Sequence, residues 1–434
     1  MARKQGVEEK TGKTEPTARS GRSVQSSDPK KSQVEEKGVR KQAATGKTPE
    51  KTVRKQKKAE KQDTGKQAKM EPKSLENDRK TGMKGTKTPT ASDSSTEKTE
   101  ASARKKSAAG RANSPLPQKF LLELAKEICR VVEPLARNIK GGGETEGTAQ
   151  SGDVTFQLDK VAEKTLFAFL RRSGLPLAYY SEDAGYSTFS SEKPKYLLIV
   201  DPVDGSRAAR SGFEGCVVSI ATTRVIERPT MADVDNACVA EILGNRVFYA
   251  ERGKGVKIFV DGHLRRPKLS ENENLDVLRW SMTVPGRPAS LIFTTVYKLL
   301  EQSSLRGGFF ACNSTAYSLT RLLTNQLDAC VDVANRFLRD VPDKARPHFE
   351  RAGNGRVVCM APYDLAAALL IAEEAGCVVT DAYGRRFDDV LMLDSTESNQ
   401  LSLVAAANPK LHAKLLEFLD RRIRQIEDRL QTQG

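Results

Sequence analysis

"LLIVDPVDGSRAARSG", residues 197–212, contains an apolar run, Leu197 to Val200, that stops at Asp201. A second carboxylate follows at Asp204, and Gly205 and Ser206 come directly after. Four consecutive apolar residues read as a buried strand of an α/β protein. Acids delivered at the end of such a strand fall where these folds place their ligand crevices. A D-x-x-D pair also suits a turn or a helix cap, so the surrounding segments have to decide.

Upstream, "QKFLLELAKEICRVVEPLARNIKGGG" spaces Phe120, Leu121, Leu124, Ile128, Val131, Leu135 and Ile139 as one helical face, ended by Gly141 to Gly143. A second helix runs through "LDKVAEKTLFAFLRRSG", with Asp159 and Glu163 on one side. Short apolar runs follow, and "DNACVAEILGNRVFYAERGKGVKIFVDG" reads as an antiparallel meander with turns at Gly244-Asn245 and Gly253 to Gly255. After Gly262 strands and helices alternate, from "RWSMTV" to a terminal helix "NPKLHAKLLEFLDRRIRQIEDRLQ". Its Leu416, Leu419, Ile423, Ile426 and Leu430 form a stripe that suits a short coiled-coil seam but is expected to pack on its own domain. Residues 334–360 are expected to be an inserted loop. The fold class is therefore α/β, with an α+β N-terminal half.

The charge of the chain is unevenly placed. Net charge is +15 over 434 residues, with 71 basic and 56 acidic side chains. Residues 1–117 hold 30 Lys and Arg against 15 Asp and Glu, so the remainder carries 41 of each. That first segment has no Phe, Tyr, Trp, Ile or Cys, and cannot bury enough apolar surface to offset its ordering entropy. It is expected to be a disordered tail that binds anionic partners or simply stays solvated. "TGKT" at Thr11 and at Thr45 lacks the leading glycine and preceding strand of a phosphate loop. Three divisions result: a tail at 1–117, an α+β subdomain at 118–265 and an α/β subdomain at 266–434.

Seven scattered cysteines without a C-x-x-C pair read as free thiols of a reducing compartment. No signal peptide or membrane span is visible. A cytoplasmic location is expected, and the basic tail leaves a nuclear one open.

Carboxylates recur where elements meet: Asp159, Glu182 with Asp183, Asp201 with Asp204, and Asp364. Gathered in one cleft they would hold protons or cations. Oxygen-only donors suit a hard ion such as Mg²⁺. Three isolated histidines argue against zinc, and no G-x-S-x-G argues for a serine nucleophile. Gly205-Ser206 at a helix start offers backbone N–H groups to a phosphate. Metal ligands beside phosphate donors point to metal-assisted transfer of a phosphoryl group to water.

Six segments in order, from Gln118 to Arg422, resemble the inositol monophosphatase family of lithium-sensitive, magnesium-dependent phosphatases. "DPVDGS" resembles its D-P-x-D-G-[ST] signature and "YDLAAALLIAEEAGCVVTD" its second signature. "GDVTFQLDKVAE", "SED", "VFYAERGKGV" and "CNSTAYSLTRLLTNQLDACVD" resemble the intervening segments. The resemblance implies a layered αβαβα sandwich, usually dimeric, with two or three Mg²⁺ ions. It implies that Glu182, Asp201 and the Val203 carbonyl hold one metal, and Asp201, Asp204 and Asp364 a second, with Asp183 acting through water. Ser206 and Asp159 would activate the attacking water, and the Gly205 and Ser206 N–H groups would bind the phosphate. Ser314, Thr315 and Ala316 would approach the substrate backbone-first, and Asp332 would accept from substrate hydroxyls.

Departures from the family pattern bear on the substrate. Ser206 stands for the commoner Thr, Asp183 for Glu, Tyr363 for Trp and Cys377 for Gly. Ala208-Ala209 replaces an Asn-aromatic pair, and Arg207 and Arg210 are candidates for a second phosphate. The expected activity is hydrolysis of a small polyol or sugar phosphate. Fructose-1,6-bisphosphatase and 3′,5′-bisphosphate nucleotidase activities are alternatives within the class. A catalytically idle scaffold that works through its tail is the alternative outside it.

Overall fold

A computed structural model of the chain describes residues 114–138, 145–148, 154–189 and 191–432. The expected tail lies outside them except for its last four residues. There Leu116 is buried, and its carbonyl accepts from Asn236 Nδ2 at 2.6 Å, so the folded chain starts before Gln118.

The elements run α1 (Gln118–Arg137), β1 (Thr145–Thr148), β2 (Val154–Phe156), α2 (Gln157–Arg172), β3 (Leu177–Ser181), β4 (Gly185–Thr188), β5 (Tyr196–Asp204), α3 (Ser206–Arg210) and β6 (Val217–Thr223). The meander follows as β7 (Asn236–Glu241), β8 (Arg246–Glu251), β9 (Val256–Val260) and β10 (His263–Arg265). Then come β11 (Arg279–Met282), α4 (Ala289–Ser303), β12 (Gly308–Phe310), α5 (Thr315–Leu323) and β13 (Ala329–Asp332). The chain closes with α6 (Ala334–Asp340), α7 (Pro342–Ala352), α8 (Pro362–Ala375), β14 (Val378–Thr380), β15 (Leu403–Ala406) and α9 (Pro409–Thr432).

An eight-stranded sheet has the order β10-β9-β8-β7-β6-β5-β3-β4, parallel only between β3 and β5. A five-stranded sheet has the order β12-β11-β13-β15-β14, with β12, β11 and β13 parallel. The α1–α2 pair covers one face of the larger sheet, α5 and α8 lie between the sheets, and α4 and α9 cover the far face of the smaller one. This is the layered αβαβα sandwich, with three apolar cores between its layers.

β5 shows how the sequence forces this. Leu197 and Ile199 enter the core shared with α5 and α8, while Leu198 and Val200 enter the core under α1 and α2. Alternate side chains point to opposite faces and both faces are covered, which is why the run is continuously apolar. Burying each of these side chains contributes about 1.5–3 kcal/mol, and together they fix the strand's end in place.

Two expectations need correction. The first helix ends at Arg137, and its buried stripe runs through Val132 and Ala136 while Leu135 is exposed. Residues 334–360 are largely helical, not a loop. Ala334, Phe337, Val341, Ala345 and Phe349 are buried at helical spacing against α9 and the smaller sheet. Pro342 sits at the first position of α7, where a missing N–H costs nothing. Leu419, Ile423 and Ile426 of α9 are buried in the same core, as expected of that stripe. All seven cysteines are free thiols. Among the described residues no helix is long and apolar enough to cross a membrane.

Candidate active site

The end of β5 departs from regular pairing. Asp201 faces Ser219 and Asp204 faces Val217, so three steps on β5 match two on β6. The extra residue makes a β-bulge, the place within a sheet that tolerates Pro202. The Val203 N–H donates to Asp201 Oδ1 at 3.0 Å and tightens the turn. Gly205 follows with φ +94, and a Cβ there would lie 2.4 Å from the Gly215 carbonyl oxygen. Only glycine fits. The helix that Ser206 begins is five residues long, so its end offers N–H groups rather than a long helix dipole.

Two further acids come from helix starts, and both are caps as well. Asp159 and Asp364 are each the third residue of their helix. The Phe156 N–H donates to Asp159 Oδ2, and the Ala361 N–H to Asp364 Oδ2, each at 2.7 Å. Capping fixes each carboxylate's rotamer. Asp159 Oδ1 takes Ser206 Oγ at 2.7 Å, with the Val203 carbonyl 2.9 Å from that hydroxyl.

One cleft is lined by Glu182, Asp201, Val203, Asp204, Gly205, Ser206, Arg207, Thr315 and Asp364 together. Burial, joined by the charges of Glu182, Asp204 and Asp364, raises the Asp201 carboxyl well above its ordinary range. Burial also pushes Asp204 up to about 6, against hydrogen bonds from Ser314 and the backbone of Ala316 and Thr315. Ser314 Oγ and the Ala316 N–H reach Asp204 Oδ2 at 2.8 and 2.7 Å. Beneath the Glu182 turn, Glu163 Oε1 accepts from Ser181 Oγ at 2.8 Å, while its Oε2 is buried without a partner. Burial raises the Glu163 carboxyl as well.

This donor set fits a hard divalent cation: it is all oxygen, and a cation relieves the repulsion that lifts Asp201. Among the described residues no three acidic, histidine or cysteine side chains close into a finished ligand cage. The carboxylates stand around the cleft wall.

Other expected residues lie elsewhere. Asp183 is not in the cleft lining; its Oδ1 accepts from Thr155 Oγ1 at 2.7 Å. The Ser314 hydroxyl and the Ala316 N–H are spent on Asp204, and neither residue is in the cleft lining. Arg210 lies over the Phe156 ring at 5.0 Å. Asp332 is 1% exposed and forms a buried ion pair with Arg287, which lines the cleft in its place. Arg287, Asn313, Thr283 and Cys359 are cleft residues that the sequence reading did not single out. The rule applied to the acids would have found two of them, because Thr283 to Arg287 follow the end of β11.

Comparison with known proteins gives the family and the fold. Residues 117–424 match the model of the Inositol monophosphatase family. A fructose-1,6-bisphosphatase/inositol-1-monophosphatase from Methanothermobacter thermautotrophicus is 27% identical over 307 residues, 69% of this chain and 95% of the relative. A protein of the same description from Thermococcus kodakarensis is 28% identical over 303 residues, again 69% and 95%. A solved inositol monophosphatase-fructose 1,6-bisphosphatase superimposes with a TM-score of 0.52 at 20% identity, over 70% of this chain and all of the other (100%). The extragenic suppressor protein suhB from Bartonella henselae gives 0.51 at 19% identity, over 69% and 97%. These two likenesses show the fold.

Proposed function

The chain belongs to the inositol monophosphatase family, and on that footing we propose that it is a Mg²⁺-dependent phosphomonoesterase acting on a small polyol or sugar phosphate. Membership makes it a metal-dependent hydrolase of phosphoric monoesters; the metal's identity and the substrate are the proposal. The observation that carries it is the meeting of four carboxylates with the Ser206–Asp159 hydrogen bond in one cleft.

Glu182, Asp201 and the Val203 carbonyl would hold one ion, and Asp201, Asp204 and Asp364 a second, with Asp183 reaching the site through water. Bound ions supply charge neutralisation for the phosphate and acidify a coordinated water. Asp159 accepts the Ser206 proton, which leaves the hydroxyl oxygen to accept from the attacking water and aim it. The Gly205 and Ser206 N–H groups would donate to phosphate oxygens as charge moves onto them. Thr315 lines the same cleft and would bind the ester. Phosphate release measured with and without Mg²⁺, on wild type and Asp204→Asn, tests the reading. Activity that survives the substitution would sink the site assignment.

A second reading within the class is a bisphosphate substrate. Arg207 and Arg287 both line the cleft, and two relatives are described as fructose-1,6-bisphosphatases as well as inositol monophosphatases. An idle scaffold is disfavoured because every ligand position keeps its carboxylate. A homodimer, lithium sensitivity, a cytoplasmic location, a tail that binds anions, and the division at residue 265 extend this proposal by family membership and charge.

A further inference from the structure

Asn313 is a cleft residue with no task in the phosphate chemistry. It precedes Ser314, the N-cap of α5, and has φ +55. Asparagine tolerates that left-handed conformation better than most residues, but glycine adopts it freely.

Its neighbours in the chain lie against the glycines of the site. On one side the Cys312 carbonyl oxygen lies 3.2 Å from where a Cβ on Gly215 would sit. On the other, Ser314 Cβ lies 3.1 Å from a Cβ position on Gly205, and Ser314 Oγ is bonded to Asp204. Asn313 thus stands between two residues that lie close to Gly215 and Gly205, the glycines beside the start of β6 and the end of β5. Its side-chain Oδ1 is buried and finds no donor in the protein. Buried acceptors without donors are uncommon in folded proteins and call for an explanation, and this one stands in the cleft that would receive the substrate.

The chemistry of the orphan says what completes it. A carboxamide oxygen accepts hydrogen bonds and donates none. The ionised oxygens of a phosphate ester are acceptors too, so the phosphate is the wrong partner. The alcohol half of a polyol or sugar phosphate supplies donors.

We propose that Asn313 is a specificity-determining residue whose carboxamide oxygen accepts a hydrogen bond from a hydroxyl of the substrate's alcohol half. This rests on the phosphatase reading of the same cleft. The residue selects polyhydroxylated esters over esters with no hydroxyl near the phosphate. The loss of one such hydrogen bond changes discrimination by roughly 10- to 100-fold.

The test compares kcat/KM of wild type, Asn313→Gly and Asn313→Asp on three polyol esters and one aryl ester with Mg²⁺ present. The polyol esters are myo-inositol 1-phosphate, glycerol 2-phosphate and fructose 1,6-bisphosphate; the aryl ester is 4-nitrophenyl phosphate. Wild type is expected to prefer at least one polyol ester. In Asn313→Gly that preference ratio falls roughly 10- to 100-fold, while Asn313→Asp, which keeps an acceptor and the positive φ, holds it within a few-fold. The Gly variant is expected to melt at or above the wild-type temperature. A wild type without preference, a ratio unchanged in Asn313→Gly, or a lower melting temperature in that variant would each overturn the proposal. No Mg²⁺-dependent release from any of the four esters would instead overturn the phosphatase reading beneath it.

Discussion

Arg287 and Asp332 form an ion pair at the edge of the cleft, Nη2 to Oδ2 at 2.6 Å, with both side chains at most 7% exposed. Arg287 Nε adds a second bond to the same oxygen at 3.1 Å, and Nη1 donates to the Pro285 carbonyl. Burial lowers the stability of the guanidinium charge, and Asp332 more than restores it, so the arginine stays charged. Asp332→Ala would leave that charge uncompensated, and about 3–5 kcal/mol of unfolding free energy is the expected loss. Urea denaturation measures it. The double variant Arg287→Met with Asp332→Leu should recover most of the loss, which separates the broken pair from a general packing defect.

Asp204 makes the metal-free protein less stable as pH rises. Its carboxyl ionises near the ordinary 3.8 when unfolded and at about 6 when folded, mainly through burial. The native state therefore keeps a proton that the unfolded state releases. The stability that goes with it is whole below about pH 4 and lost as pH climbs through about 6, up to about 3 kcal/mol. Asp201 acts in the same direction. Thermal melts with chelator should show the decline, Asp204→Asn should lessen it while the Asp201 share remains, and added Mg²⁺ should reverse it in wild type.

Ser206→Ala removes the hydroxyl that links Asp159 to the bulge. The expected result is a 100- to 10,000-fold drop in kcat with little change in KM, as for loss of a group that directs a proton. Ser206→Thr keeps the hydroxyl and should retain most of the rate. A fall in KM-limited rate alone would assign the serine to binding instead.

Gly205→Ala places a methyl group 2.4 Å from the Gly215 carbonyl and imposes a positive φ on alanine. At least about 1–2 kcal/mol of stability should be lost from the conformation alone. Because Gly205 stands between Asp204 and Ser206, activity should fall further than stability, as read by comparing rate with melting temperature.

The layers were legible because their signals are local. Leu197 to Val200 is continuously apolar and proves to be buried on both faces, and the turns of the meander stand at the expected glycines. The acids were legible by position, at strand ends and helix starts. What escaped was long-range pairing. Asp332 carries no sign that an arginine 45 residues earlier will claim it. Nothing in the residues around Asn313 signals that its carboxamide oxygen will be buried in the cleft without a donor. Residues 334–352 were misread because Pro342, Pro347 and Gly353 look like breakers. The apolar spacing from Ala334 to Phe349 was the stronger signal.

The bulge at Asp201 to Asp204 gives the motif's spacing a meaning in parity. In an unbroken strand, residues three apart point to opposite sides of the sheet. The single unpaired residue between these two acids cancels one alternation and turns both toward the same cleft. The odd separation in D-P-V-D is thus the written form of an irregularity in the strand. Removing one residue from it would still leave the two aspartates on one face, now by plain alternation, but would take away the bulge in which the Val203 N–H closes on Asp201 and the chain turns toward Gly205.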